Sequence, residues 1–153
     1  MPHIAETRRL PWSPEQMFDL VADVRHYAEF LPWVVATRVR SDGEREMVAD
    51  MMVGFNALRE KFTSRVRKDR PREILVEYLD GPMKSLSNSW KFAPDGEGGC
   101  VIDFCVDFTF RNALFEKLAG QYLDRAFRKM VNAFEARAEK LYGSSNSSAQ
   151  IVA

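Results

Sequence analysis

The chain has 153 residues, of which 46% are hydrophobic and 29% charged, a size and composition that suit one compact domain with a single hydrophobic core. Basic and acidic residues balance at 22 each, which excludes the overall cationic surplus of a typical DNA-binding domain. No stretch approaches the roughly 20 apolar residues that a transmembrane helix needs, so the sequence predicts no helix that spans a bilayer.

A strand and two short helices are predicted at the start of the chain. The strand covers residues 3–10. Ser13 and Gln16 are spaced as a capping box, and Pro14 between them suits the first position of a helix, where its missing N–H costs nothing. A second short helical turn should follow and end at Pro32, because helical geometry is disfavoured for the residue before a proline.

About six consecutive strands are predicted after this point from the alternation of apolar and polar residues. Val35, Thr37 and Val39 should share one face of the first of these strands. The last strand is the clearest, since one of its faces is wholly apolar and the other is mostly polar. Its apolar face consists of Cys100, Ile102, Phe104, Val106, Phe108 and Phe110. This pattern is typical of an antiparallel sheet with one buried and one solvated face.

A long amphipathic helix is predicted from about Asn112 to Tyr142, where the hydrophobic period changes from that of a strand to that of a helix. It is the only predicted element able to cover the apolar face of the sheet. Gly143 is a natural C-cap, and the serine-rich residues 144–153 are predicted to be a disordered tail. We therefore predict an α+β fold in which residues 1–143 form one domain, with a curved antiparallel sheet of six to seven strands wrapped around the C-terminal helix.

The cysteines and histidines give no sign of a disulfide, a metal site or a catalytic motif. Cys100 and Cys105 are five residues apart in one predicted strand, so they point to opposite faces and cannot form a bridge. His3 and His26 are the only histidines, and neither has a neighbour at metal-ligand spacing, so we expect both to be surface residues. Because no secretory signal is visible at the N-terminus, we expect a reduced, cytoplasmic protein without a metal or catalytic residues.

The order of these elements, together with the motifs that they carry, resembles a known family. The motifs are Tyr27, Phe30-Leu31-Pro32-Trp33, Val53-Gly54-Phe55, Glu60-Lys61-Phe62, Trp90-Lys91-Phe92, Phe108-Thr109-Phe110, Ala133-Phe134-Glu135-Ala136-Arg137-Ala138 and Leu141-Tyr142-Gly143. Over residues 3–143 the chain is similar to the coenzyme Q-binding and polyketide cyclase-like family of the START-like, or helix-grip, superfamily. Many members have a cysteine after Leu-Pro-Trp, where this chain has Val34, which argues against a redox role at this position.

The resemblance implies a deep apolar cavity between the sheet and the C-terminal helix. In eukaryotic members this cavity is associated with the binding of ubiquinone and with respiration. We therefore expect a binding protein, not an enzyme, that carries ubiquinone (coenzyme Q) or a similar polyprenyl lipid to respiratory or biosynthetic enzymes. It should need no cofactor, and it should contact the inner face of the respiratory membrane transiently. The candidate ligand-binding residues are Leu31, Trp33, Met51, Phe55, Phe62, Trp90, Phe104, Phe108, Tyr122, Phe127 and Met130.

Each of these residues also has an ordinary structural explanation. An aromatic such as Phe104 or a methionine such as Met130 fills a hydrophobic core equally well. Trp33 either fixes a corner between a helix and a strand, or gates the mouth of the cavity or touches a membrane there. The Tyr122 hydroxyl needs a hydrogen-bond partner, which is a quinone carbonyl, a backbone group or water. Asn88 and Ser64 are weaker candidates for the same contact.

Two other functions remain open. A bacterial branch of the family is described as a toxin that blocks the association of ribosomal subunits. The sequence also carries a basic stripe, which consists of Lys61, Arg65 and Arg67 with Arg38 and Arg40 adjacent. Such a stripe suits contact with ribosomal RNA or anionic lipid, although a solvated sheet face balanced by nearby acids explains it as well. A cyclase or dehydratase is suggested by superfamily analogy alone, because no acid–base set can be named.

Overall fold

The protein is described from a computed structural model that covers residues 3–55 and 58–143, with all side chains in these ranges except those of residues 55, 58, 115 and 118–124. Its elements in chain order are β1 (His3–Leu10), α1 (Pro14–Ala22), a 3₁₀ helix (Val24–Glu29), β2 (Val34–Asp42), β3 (Glu46–Phe55), β4 (Leu58–Asp69), β5 (Glu73–Asp80), β6 (Met83–Pro94), β7 (Cys100–Phe110) and α2 (Ala113–Tyr142). The predicted order of elements is confirmed. The predicted tail, residues 144–153, lies outside the described residues.

The strands form one seven-stranded sheet in the order β1-β7-β6-β5-β4-β3-β2. Strands β2 to β7 pair with their neighbours in sequence, as in a meander, and every pair is antiparallel. β1 joins the far edge of this meander by pairing with β7, which places His3 directly opposite Asp107. The first and the last strand of the chain therefore pair at one edge of the sheet.

The hydrophobic core lies between the inner face of the sheet and the two α-helices. The buried residues of α1 and α2 in this core are Met17, Phe18, Leu20, Val21, Phe134 and Ala138. The buried residues of the sheet in this core are Val34, Met47, Ala49, Val66, Ile74, Phe92, Cys100 and Ile102. This packing of the sheet around α2 confirms the predicted α+β helix-grip fold. In the described ranges, no helix is both long and apolar enough to cross a membrane.

Capping contacts confirm the predicted start of α1 and end of α2. The Gln16 backbone N–H donates to Ser13 Oγ (3.1 Å), and the Ser13 backbone N–H donates to Gln16 Oε1 (2.9 Å). α2 ends at Gly143, whose φ of +81° is the left-handed conformation that glycine adopts without a Cβ penalty. The Trp12 indole N–H donates to the Gly143 carbonyl oxygen (2.8 Å), so the end of α2 is held against the segment that precedes α1.

The predicted alternation in β2 is wrong at one position. Val35 does not share a face with Thr37 and Val39; instead Val34 is buried, and Val35 is 47% exposed. The pairing of β2 with β3 shifts register between Val34 and Ala36. Such an extra residue reverses the side-chain alternation on one side of it, and the letters of a single strand do not reveal where it occurs.

Candidate ligand-binding site

A small cavity lies between the inner face of the sheet at β1, β6 and β7 and the second half of α2. Its apolar lining comes from Leu10, Met17, Trp90, Ile102, Phe104, Phe127, Met130, Val131 and Phe134, and its polar lining comes from Glu6, Arg8 and Glu135. The cavity volume is about 40 Å³. A cavity needs at least ~10–15 Å³ to hold one water, whereas sites for small organic ligands span ~300–1,000 Å³. The space between sheet and helix is therefore mostly filled by the protein's own side chains.

Aromatic rings form one wall of the cavity. Trp90 and Phe104 are directly opposite each other in the β6–β7 register, and their ring centroids lie 4.7 Å apart. Phe127 and Phe134 of α2 complete the wall, with centroids 5.2 Å from Phe104 and 5.4 Å from Trp90 respectively. The rings are steeply inclined to one another, an arrangement that aromatic quadrupoles favour. Strand register thus fixes two of the rings, and the packing of α2 fixes the others.

The polar atoms near the Trp90 ring are already hydrogen-bonded within the protein. The Trp90 indole N–H donates to Asn88 Oδ1 (3.0 Å), and Asn88 Nδ2 donates to the Cys105 carbonyl oxygen (2.9 Å). These bonds hold the indole in place and leave its ring face as apolar surface. Asn88, a weak candidate for contact with a quinone, is therefore better explained as the residue that orients Trp90.

Two inward-facing residues of β1 give the cavity a polar side. Glu6 and Arg8 occupy the same face of the strand as Ile4 and Leu10. Arg8 Nη2 lies 2.9 Å from Glu135 Oε1 on α2, and Arg8 Nη1 donates to Glu6 Oε1 (3.5 Å). The Glu135 Oε1 atom is buried, and Arg8 is its ion-pair partner. The lining is therefore apolar and aromatic on one side and charged, at Arg8 and Glu135, on the other.

The sequence-based candidates omit Glu6, Arg8 and Glu135. A signal was present in β1, because its alternate residues Ile4, Glu6, Arg8 and Leu10 mix polar with apolar side chains on one face. Polar residues on an otherwise buried face are unusual and often functional. The position of Glu135 beside them depends on how β1 pairs with β7 and packs on α2, which no short-range pattern shows.

The structure places the predicted ligand-binding residues in different surroundings. Those that line the cavity are Trp90, Phe104, Phe127 and Met130. Those that pack in or against the hydrophobic core without lining the cavity are Leu31, Trp33 and Met51. Those that are partly buried elsewhere on the sheet are Phe62 and Phe108. Those whose side chains fall outside the described set are Phe55 and Tyr122. A ligand-binding role stays a prediction for all of them.

Tyr27, in contrast, is explained by packing alone. Its ring packs edge to face on Phe30 and Phe134, with centroids 5.8 Å and 5.7 Å away. Its hydroxyl donates to the Val21 carbonyl oxygen. Burial, with a smaller contribution from the charge of Asp23, raises the pKa of the Tyr27 phenol well above its ordinary value. The hydroxyl is therefore neutral and already hydrogen-bonded, and its role is to join α1 to α2.

The predicted basic stripe lies on the outer face of the sheet, on the side opposite the cavity. Its members on β4 and β2 are Lys61, Arg65, Arg67, Arg38 and Arg40. Several of these cations are paired with acids: Arg65 Nε lies 2.9 Å from a Glu46 oxygen, and Arg67 Nε donates to Glu77 (2.6 Å). The Arg67 guanidinium accordingly lowers the pKa of the Glu77 carboxyl. The five basic residues do share one face of the sheet, but acids on the same face reduce the net charge of the stripe.

Comparison with known proteins identifies relatives of the whole described domain. Residues 10–135 match the family model of polyketide cyclase / dehydrase and lipid transport proteins. The ribosome association toxin RatA of Escherichia coli (strain K12) is 37% identical over 142 residues, which cover 93% of this chain and 90% of the relative. The mitochondrial coenzyme Q-binding protein COQ10 homolog B of Xenopus laevis is 34% identical over 143 residues, which cover 91% of this chain and 59% of the relative.

A solved structure shows the same fold. The crystal structure of the ZhuI aromatase/cyclase from Streptomyces sp. R1128 superposes with a TM-score of 0.80, covering 91% of this chain and 94% of that one. The two sequences are 19% identical, so this likeness concerns the fold alone. The shared feature is a curved sheet that closes around a C-terminal helix.

Proposed function

Because the chain belongs to the coenzyme Q-binding and polyketide cyclase-like family of the START superfamily, we propose that it binds ubiquinone or a similar polyprenyl quinone between its sheet and α2. The observation that carries this proposal is the aromatic-walled cavity with Arg8 and Glu135 on its polar side. The relative named as a coenzyme Q-binding protein supports the choice of a quinone as ligand.

The two kinds of lining match the two parts of such a ligand. The prenyl units lie against Trp90, Phe104 and Phe127, where each Å² of buried apolar surface contributes about 25 cal/mol before the costs of association. The Arg8 guanidinium supplies N–H donors for a quinone carbonyl, and Glu135 Oε1 accepts from a hydroxyl of the reduced form. A protein that shields the tail in this way acts as a carrier or chaperone, which presents the quinone to respiratory or biosynthetic enzymes at the membrane surface.

Entry of the ligand requires the space between sheet and α2 to widen. The cavity of about 40 Å³ is far too small for a prenylated ring. α2 and the loop between β5 and β6 are the segments that move in our proposal. Gly81 in this loop has a φ of +146° and packs on Phe62, and the Met83 backbone N–H donates to the Tyr78 hydroxyl (2.9 Å). The loop must give up these contacts if it is to move.

Mass spectrometry of lipids that co-purify with the protein tests this proposal. We expect ubiquinone in organic extracts of protein produced in cells that synthesise it. Addition of a short-chain ubiquinone to delipidated protein should raise Tm, because a ligand at 100 times its Kd stabilises the folded state by about 2.7 kcal/mol. An extract free of lipid, together with an unchanged Tm, would overturn the proposal.

A second candidate function is binding to a ribosomal subunit. Relatives named ribosome association toxin match this chain at 33–37% identity, and the one from Escherichia coli K12 covers 93% of it. The basic stripe is the surface that fits a ribosomal RNA backbone, since phosphate contacts are made mainly by lysines and arginines. The acids paired with Arg65 and Arg67 leave Lys61, which is exposed on β4, as the more available cation.

Charge reversal at Lys61 tests the ribosomal function. We expect Lys61→Glu to weaken co-sedimentation with ribosomal subunits by about tenfold at low salt, because the variant loses a phosphate contact and places a negative charge there. The salt dependence of binding should fall as well. Lys129→Glu, at an exposed position on α2, is the matched control and should bind as the wild type does. Equal binding by both variants, or binding that is insensitive to salt, would exclude the stripe as the contact surface.

We propose binding and not catalysis for the cavity. Its ionisable lining groups are Glu6, Arg8 and Glu135, and Arg8 lies within ion-pair distance of both acids. General acid–base catalysis requires groups held within hydrogen-bond reach of the reacting atoms and with matched pKa values. The likeness to an aromatase/cyclase concerns the fold, so it does not by itself support a cyclase reaction.

A further inference from the structure

The edge of the sheet where the first strand, β1, pairs with the last strand, β7, brings three metal-ligating side chains together. In the β1–β7 register, His3 is opposite Asp107 and Ala5 is opposite Cys105, and all four residues share the outer face of the sheet. One ligand atom each of His3, Cys105 and Asp107 lies within 4.8 Å of the others. This cluster is on the face opposite the cavity and is independent of the proposed quinone site.

The sequence gives no hint of this cluster, because about 100 residues separate His3 from Cys105 and Asp107. His3 has no neighbouring ligand at metal-binding spacing, and Cys105 and Asp107 are two residues apart on one strand. Only the pairing of β1 with β7 adds the imidazole to the thiol and the carboxylate. The expectation that neither histidine belongs to a metal site rests on spacing along the chain, and spacing does not report such cross-strand sets.

The chemistry of the three ligands fits Zn²⁺. An imidazole nitrogen, a thiolate sulfur and a carboxylate oxygen are the donors that Zn²⁺ takes in proteins, at about 2.0–2.3 Å in tetrahedral geometry. Ca²⁺ and Mg²⁺ prefer ligand sets made only of oxygen atoms, whereas this cluster offers one nitrogen, one sulfur and one carboxylate oxygen. The three ligand atoms are already close because His3 pairs with Asp107 across the strands and Cys105 lies two residues before Asp107 on the same face.

A groove beside Cys105 leaves space for a fourth ligand. It is lined by Ala5, Thr7, Ser89, Asp103 and Cys105, among others, and has a volume of about 370 Å³. Small side chains at Ala5 and Ser89, both opposite Cys105 on the neighbouring strands, keep this side of the thiol open. His3 and Asp107 are about half exposed, with side-chain exposures of 52% and 44%, so an ion can reach the cluster from solvent.

We propose that His3, Cys105 and Asp107 form a Zn²⁺-binding site with an open fourth position that a water occupies. Zn²⁺ then replaces the direct contact between the His3 ring and the Asp107 carboxylate. Because the thiol must lose its proton and the imidazole must be neutral, binding releases protons and weakens as the pH falls. The ion ties the start of β1 to β7, so it should also stabilise the edge of the sheet.

Co²⁺ is the probe for this site, since it substitutes for Zn²⁺ and is visible by absorption. In protein free of any polyhistidine tag, we expect a thiolate-to-cobalt charge-transfer band that added Zn²⁺ abolishes. Cys105→Ser should remove the band, and His3→Gln and Asp107→Asn should each weaken Co²⁺ binding by about tenfold or more. Zn²⁺ should raise Tm in the wild type and leave Tm unchanged in Cys105→Ser.

Cys100 provides the matched control. It is the other free cysteine, it lies on the same strand, and its side chain is fully buried on the inner face. Cys100→Ala should keep the charge-transfer band and the response to Zn²⁺, with circular dichroism confirming that all variants are folded. No band at saturating Co²⁺, or a band that survives in Cys105→Ser, would refute the site. A band lost in Cys105→Ser but unaffected by His3→Gln and Asp107→Asn would show a thiol acting alone and would overturn the proposal as well.

Discussion

Replacement of Phe127 by aspartate is expected to abolish quinone binding. Phe127 is 8% exposed, lines the cavity and packs on Phe104 with a centroid distance of 5.2 Å. The variant removes apolar contact surface and places a carboxylate where the prenyl tail should lie, and an unpaired charge in an apolar site is costly. We expect no ubiquinone in extracts of the variant and no rise in Tm on addition of quinone. We also expect its unfolding free energy to fall by about 3–5 kcal/mol.

Two further variants separate loss of binding from loss of folding. Leu114→Asp introduces the same charge on the same helix at a side chain that is 61% exposed, so it should retain both stability and bound quinone. Met130→Trp enlarges an apolar side chain in the cavity lining, which should exclude the ligand by filling its space at a cost of about 1–3 kcal/mol. Quinone that remains bound to a folded Met130→Trp protein would place the ligand elsewhere and contradict the proposed site.

The element order of the fold follows from short-range patterns in the sequence. The capping box at Ser13 and Gln16, the strand along residues 100–110 and the helix before Gly143 are each predicted from a local pattern, and each is found in the structure. Because only one long amphipathic helix was available to cover the apolar sheet face, the helix-grip arrangement also followed. The bulge at Val35 could not be predicted from the sequence, since it depends on the register of β2 against β3.

The candidate site was predictable only where residues share an alternating face. Trp90 and Phe104 were recognised as inward-facing aromatics, and the structure shows them paired across β6 and β7 beside the cavity. Arg8 was not recognised, because its importance comes from Glu135 on α2. The cluster of His3, Cys105 and Asp107 is likewise formed by residues that are distant in the sequence. In both cases β1 pairs with the last strand of the sheet, and such long-range pairing is decided by the whole fold.

Removal of the Asp50 carboxylate is expected to give a large loss of stability at a position far from the cavity. Asp50 lies on the outer face of β3 but is 5% exposed, because its neighbours on β2 and β4 cover it. Its oxygens accept from Thr63 Oγ1 (2.5 Å) and from Arg40 Nε (2.8 Å). Asp50→Ala leaves the buried Thr63 hydroxyl without this partner, and water can solvate only the half-exposed Arg40. We expect the unfolding free energy in urea to fall by about 2 kcal/mol.

Asp80→Ala is the matched control for this loss, because Asp80 is an exposed aspartate at the end of β5. It should change the unfolding free energy by less than about 0.5 kcal/mol. An equal effect of the two substitutions would show that the contacts of Asp50 contribute nothing beyond the loss of a surface charge.

The charge of Asp50 should also appear in the pH dependence of stability. The hydrogen bond from Thr63, followed by that from Arg40, lowers the pKa of the Asp50 carboxyl in the folded protein. Above the unfolded-state pKa of about 3.9, the carboxylate is ionised in both states and its contribution is fully present. As the pH falls further, the unfolded chain binds a proton before the folded one does, so this contribution declines. Since asparagine does not titrate, the difference in stability between the wild type and Asp50→Asn should be greatest above about pH 5 and shrink below about pH 4. A difference that stays constant down to about pH 3 would mean that the hydrogen bonds of Asp50 do not depend on its charge.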